Sequence, residues 1–241
     1  MAKPSKDKDR RAVVEQMRRD QQRKERRRTL VVVVACLVVA VAIITPAALK
    51  VLKQNQATDG ALGDIGTAAN QAGCQDIVKK HADGNQQHKP IGTDIFYPDA
   101  PPAFGPHWPT PAEFGRKFYT ADDRPQIEYL VHNLEHGYTL LWYDDTVAKN
   151  ADELAAVKAI STKFEGRKLT DKFIAAPWTS KDGKPFPGGA HIALTHWSAG
   201  GDPSGKNQQG IWQYCAKPSG SVVASYMKDY PYSDSPEPQA M

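Results

Sequence analysis

The hydrophobic pattern divides the chain into unlike parts. From Leu30 to Ile44 every residue is apolar, and no charged residue stands between Thr29 and Leu49. As a helix, this run would span about 30 Å at roughly 1.5 Å per residue, enough to cross the hydrocarbon core of a bilayer. Residues 29–52 are therefore predicted to form one transmembrane helix, with Pro46 placed where a proline disturbs only the final turn. Residues 53–72 are polar and small and read as a linker. Aromatic and branched residues return from Gly73. One globular domain is expected over 73–232, with 233–241 as a flexible tail.

Within that domain, residues 127–131 and 138–143 are rich in β-branched and aromatic side chains and predict strands, as do 173–176 and 191–196. Residues 95–97 read as a short extended piece. The proline-rich stretch 98–111 must be a shaped loop. Leu154, Val157, Ala159 and Ile160 recur at helical spacing, and Asp152 and Glu153 suit a first turn, so 151–164 predicts a helix. Residues 222–227 predict a last short helix. The Gly188-Gly189 and Gly200-Gly201 pairs suit turns. Strands and helices without a regular alternation argue for an α+β fold, a small mixed or antiparallel sheet with flanking helices.

Charge adds orientation. The 241 residues carry a formal +4, but residues 1–28 hold 12 Lys/Arg against 5 Asp/Glu while the remainder holds 19 against 22. A mildly acidic domain does not suit a nucleic-acid binder, and no nucleic-acid partner is expected. Arg26, Arg27 and Arg28 stop against the apolar run, with only Lys50 and Lys53 close behind it. The positive-inside rule then keeps residues 1–28 in the cytoplasm as a basic arm and exports the domain. The expected location is the cell membrane, with lipid met by Leu30–Leu49. The rival reading is a cleaved signal peptide: Ala47 and Ala48 offer small residues, but a 28-residue leader containing five acids is long for one.

Of three cysteines, Cys36 lies in the apolar run and Cys74 and Cys215 open and close the domain. Two free thiols or a metal pair are alternatives, but an oxidising compartment favours a Cys74–Cys215 disulfide. Closing so long a loop is worth roughly 4–5 kcal/mol by the chain-entropy argument.

The chemically unusual stretch is His132-Asn133-Leu134-Glu135-His136-Gly137. On a helix, His132 and His136 share a face, so both imidazoles can reach one ion. His107, His191 and His196 are available as a third ligand. The order H-x-x-E-H is that of the inverted zinc peptidases, in which the glutamate is the general base. Against that reading, the motif sits between two strand-like runs, Gly137 ends any helix at once, and no downstream acidic ligand stands out. Ser161, Ser180 and Ser198 lie in no nucleophile elbow, and no phosphate-binding or dinucleotide fingerprint occurs.

Tyr97-Pro98, followed by Pro101-Pro102 and Gly105-Pro106-His107, resembles the opening block of the domain of unknown function 3105, an exported family common in actinobacteria. The block His132-x-Leu134-Glu135-His136-Gly137, running into an apolar strand that ends at Tyr143, is similar to its second. Ile192-Ala193-Leu194-Thr195-x-Trp197 resembles its late strand, and Tyr226 to Pro236-Glu237 its closing segment. Phe104 stands where the family usually has Ser, and His196 where it usually has Ala. The resemblance implies a membrane-anchored exported domain without assigned activity, and it makes His107, His132, Glu135 and His136 one candidate site.

Three functions remain open from the residues. The first is metal binding, by zinc or copper, with His107, His132 and His136 as ligands and Glu135 orienting or bridging. The second is an envelope interaction module, in which the histidines are structural and the Pro/Trp loop at 100–111 contacts a membrane or cell-wall partner such as an envelope protein. The third and weakest is a metallohydrolase with Glu135 as base. The balance leans away from an enzyme.

Overall fold

The structure is a computed structural model describing residues 15–19, 21–34, 36, 60–202 and 205–241. The chain falls into two compact units, residues 1–53 and 54–241. In the first, residues 15–19 and 21–34 are helical and exposed. Among the described residues no helix is long and apolar enough to cross a membrane. The expected span at 29–52 lies mostly outside the described residues, as does most of the basic arm.

The second unit is α+β, built on a five-stranded mixed sheet in the order β1-β5-β4-β2-β3. The strands are β1 (Val78–His81), β2 (Thr139–Tyr143), β3 (Phe173–Pro177), β4 (Ile192–Ser198) and β5 (Gln209–Cys215). β2 and β3 pair in parallel, and the other pairings are antiparallel. The parallel pair needs a crossover. It is supplied by α2 (Asp145–Lys149) and α3 (Ala151–Thr162), each opened by a capping side chain, Asp144 and Asn150, that accepts from two backbone N–H groups.

Successive strand residues alternate between two buried clusters. Leu140, Trp142, Ile174, Ala176, Ala193 and Trp197 join one, while Leu141, Tyr143, Phe173, Ala175, Ile192 and Leu194 join the other. α3 and α4 (Gly220–Asp229) cover the second face through Val157, Ile160, Val223 and Tyr226. The first face is covered by α1 (Ile127–Glu135) and the proline-rich loop.

α1 corrects the sequence reading. Residues 127–131 were expected as a strand because Ile, Tyr and Val favour one, but the apolar positions Ile127, Leu130, Val131 and Leu134 are all buried and recur at helical spacing. The period becomes visible only when the window runs through Glu135. The other expected strands and helices form within two residues of their expected ends, the short piece expected at 95–97 joins no strand, and β1 and β5 were not anticipated. Residues 233–241, expected as a tail beyond the domain, lie against it: Ser235 is buried, and the Glu237 N–H donates to the Glu135 carbonyl.

Cys74 and Cys215 form a disulfide at a sequence separation of 141, fastening the end of β5 to the segment that leads into β1. Replacing both with Ser is expected to lower the free energy of unfolding by about 4–5 kcal/mol. Urea denaturation of the two proteins checks this, and an unchanged midpoint would contradict it.

Candidate functional site

Three backbone devices bring the histidines together. The first is the end of α1. Gly137, at φ 91°, lets the helix close with the Tyr138 N–H donating to the Asn133 carbonyl and the Gly137 N–H to the Leu134 carbonyl. That pattern satisfies the last helical carbonyls and turns the chain straight into β2. A Cβ at Gly137 would collide with the Tyr232 carbonyl and the Ser235 hydroxyl, so the same glycine admits the C-terminal segment beside the site.

The second device is the proline-rich loop. Asn133 grips it at two points: its Oδ1 accepts from the Ala112 N–H at 2.9 Å, and its Nδ2 donates to the Ala112 carbonyl at 3.1 Å. The Trp212 indole donates to the Pro101 carbonyl and the Tyr97 hydroxyl to the Pro106 carbonyl, each at 2.7 Å. Trp108 plugs the loop, only 8% exposed, donating to the Thr93 carbonyl and packing edge-on against Tyr129. The third device is a backbone pairing of residues 87–89 with His107. The His107 N–H donates to the Gln87 carbonyl and the Lys89 N–H to the His107 carbonyl, which carries His88 to the site.

Hydrogen-bond accounting then fixes the imidazoles. The Nδ1 of His107 lies 2.8 Å from the Gly105 carbonyl, that of His132 2.6 Å from the Trp108 carbonyl, and that of His136 3.1 Å from the Met241 oxygen. A carbonyl only accepts, so each Nδ1 carries the proton, and the neutral His132 and His136 rings present bare Nε2 lone pairs, whereas His107 faces an acceptor at both nitrogens. Those lone pairs converge. The Nε2 of His132 and His136 are 2.9 Å apart, and the Nε2 of His107 is 2.9 Å from Oε2 of Glu135. The His88 ring stacks on His132, and its Nε2 is 3.6 Å from the same carboxylate oxygen.

Glu135 is oriented by a relay that begins in the core. The Trp197 indole donates to Gln208 Oε1, whose amide nitrogen donates to Gln86 Oε1, whose amide nitrogen donates to Glu135 Oε1 at 2.9 Å. The indole is donor-only, so each amide along the relay has one allowed orientation, and it ends on an acceptor. Burial opposes the Glu135 charge, but hydrogen bonds from His107 and Gln86 outweigh it and hold the carboxyl below its usual range. Burial pushes His132 down to about 4 and lowers His136 as well, which keeps both rings neutral.

His107, His132, Glu135 and His136 are thus one buried cluster, as expected, whereas two other candidates lie apart. His196 alternates with Trp197 along β4 and so points to the other face, against the Tyr138 and Asp234 carbonyls. His191 pairs with Asp144 beyond the far end of β2. Sequence reasoning missed His88, Gln86 and Glu237. The clue to Glu237 was its place in the closing segment; His88 and Gln86 stand in a polar stretch without a motif, and only the tertiary pairing with His107 reveals them. Ligand atoms of His88, His107, His132 and Glu135 lie within 4.8 Å of one another, and those of Glu135, His136 and Glu237 form a second such group. A groove of about 370 Å³ between residues 94–100 and 181–184 is lined by none of these.

Lys172 ties the site to the C-terminal segment, donating at 2.7 Å to both the His136 and the Pro238 carbonyls. Burial lowers its pKa to about 8, against an ordinary value of 10.5. The unfolded chain therefore binds more protons between those two values, so this residue makes stability rise with pH across that window. Urea midpoints measured from pH 8 to 10.5 are expected to show a rise in the wild type that is flattened in Lys172→Met.

A family model described as "Protein of unknown function (DUF3105)" matches residues 88–240, from the first histidine of the cluster to beyond its last carboxylate. No curated protein and no solved structure matches the chain.

Proposed function

The chain belongs to the DUF3105 family, and from that premise we propose that its α+β domain is a transition-metal-binding domain, carried on the outer face of the cell membrane by the apolar run Leu30–Leu49. One observation carries the metal reading: three imidazoles, each with its Nδ1–H committed to a backbone oxygen, turn their Nε2 atoms toward one another or toward a buried carboxylate, and those of His132 and His136 are bare lone pairs. Neutral lone pairs 2.9 Å apart repel, and a cation relieves that repulsion. Ligand atoms bound tetrahedrally at about 2.0–2.2 Å to one ion stand about 3.3–3.6 Å apart, and the His88–Glu135 and His107–Glu135 contacts, at 3.6 and 2.9 Å, lie near that range. Imidazole bound at Nε2 and anchored at Nδ1 is also the usual outer-shell arrangement around a metal.

Imidazole nitrogen and carboxylate oxygen suit zinc and copper(II), and both are retained as candidate ions. Binding is favoured over hydrolysis because Glu135 is itself held by His107 and Gln86 and is not a free base. The burial of Trp108 weakens the reading of residues 100–111 as a docking loop. The membrane anchor rests on the length of the uncharged run and on the arginines at its amino end.

Elemental analysis of the protein, made in an oxidising compartment without chelator or His tag, is expected to find zinc or copper that is lost in His132→Ala/His136→Ala. A folded wild type that holds neither ion, even after incubation with each, would overturn the proposal. For the anchor, the chain is expected to stay with the membrane pellet through alkaline carbonate, with its domain cut by protease added outside intact spheroplasts. Release into the carbonate wash would sink that part.

A further inference from the structure

One ion leaves donors unused. The group His88, His107, His132 and Glu135 and the group Glu135, His136 and Glu237 meet at a single carboxylate. On the second side, His136 Nε2 is 3.5 Å from Glu237 Oε2, and the Glu237 backbone is fixed by its N–H bond to the Glu135 carbonyl. Five side chains thus stand around Glu135, in two sets that share it.

We propose that the site is binuclear, resting on the metal-binding reading above. The first ion takes His88, His107 and His132, the second takes His136 and Glu237, and Glu135 is shared between them. The lone pairs of His132 and His136, which face each other at 2.9 Å, each then belong to a different ion. Ions that share a bridging ligand sit about 3.5–4 Å apart, a spacing that adjacent helical positions 132, 135 and 136 accommodate on one face of α1's last turn. The two positions differ in chemistry. Three imidazoles make the first the nitrogen-rich site, suited to zinc or copper(II). Two carboxylates and one imidazole make the second harder, suited to zinc or manganese, and with three protein donors it leaves coordination positions for water. His88 and Glu237, with side chains 46% and 47% exposed, are the solvent-facing ligand of each set.

The test uses the full chain in detergent, without a His tag, stripped of metal and reloaded with zinc by equilibrium dialysis. Two zinc ions per wild-type chain and one per Glu237→Gln chain are expected, with circular dichroism confirming that the variant stays folded. Cobalt(II) titration should raise the visible absorption of the wild type in two phases and that of Glu237→Gln in one. One zinc in both proteins would overturn the second ion while leaving the single-ion reading intact. Two zinc ions retained in Glu237→Gln would overturn the ligand assignment, and none in a folded wild type would overturn both readings.

Discussion

The constraint on which the site depends is a carboxylate kept charged in a buried place. Removing a carboxylate from water costs several kcal/mol unless positive charge or donors replace the solvent. Glu135 is about 1% exposed and receives one amide donor from Gln86; its other oxygen faces the Nε2 of His107. With Nδ1 donating to Gly105, that nitrogen can donate to the carboxylate only from a ring that carries two protons, so the buried charge calls for one positive charge beside it, on the ring or on a cation. Much of the local architecture holds these groups in place. The Asn133 grip, the Schellman closure at Gly137 and the Trp197–Gln208–Gln86 relay all restrict rings or carboxylate to one orientation. Rigidity of this kind lowers the reorganisation needed when a ligand arrives.

The sheet explains why the same histidine-rich sequence yields one site and not several. Strand alternation assigns Trp197 to the face covered by α1 and assigns its neighbour His196 to the other. A residue type that would suit a metal is thereby excluded by parity alone. Similarly, β2 separates His191 from the cluster, since the helix enters one end of that strand and His191 lies at the other.

Much of this was legible from the residues. β-Branched and aromatic runs found three of the five strands, the helical spacing over 151–164 found α3, and the compartment argument found the disulfide. The motif around Glu135 and the prolines before His107 pointed at four side chains that the fold brings into one buried cluster. What escaped notice had physical reasons. β1 is a short, exposed edge strand, Val78-Lys79-Lys80-His81, whose pairing depends on β5 and leaves no hydrophobic alternation. α1 was hidden because β-branched residues at its start outweighed a helical period that needed Leu134 to complete it. His88 enters through a two-residue backbone pairing, and Glu237 through a segment held by Lys172; neither kind of contact leaves a local signature.

The donors around Glu135 come from residues 86–88, from 107, from the last turn of α1 and from 237. No short fragment of the chain contains the site, and a nascent or half-threaded chain lacks it until the segment carrying Glu237 has docked. Metal affinity, on the proposed reading, would consequently be a property of the finished tertiary structure. On the proposed reading, a chain that crosses a membrane unfolded would carry no assembled site with it and would take its ion from whatever the far side provides, so that the fold, and not the motif, would decide in which compartment the metal is chosen.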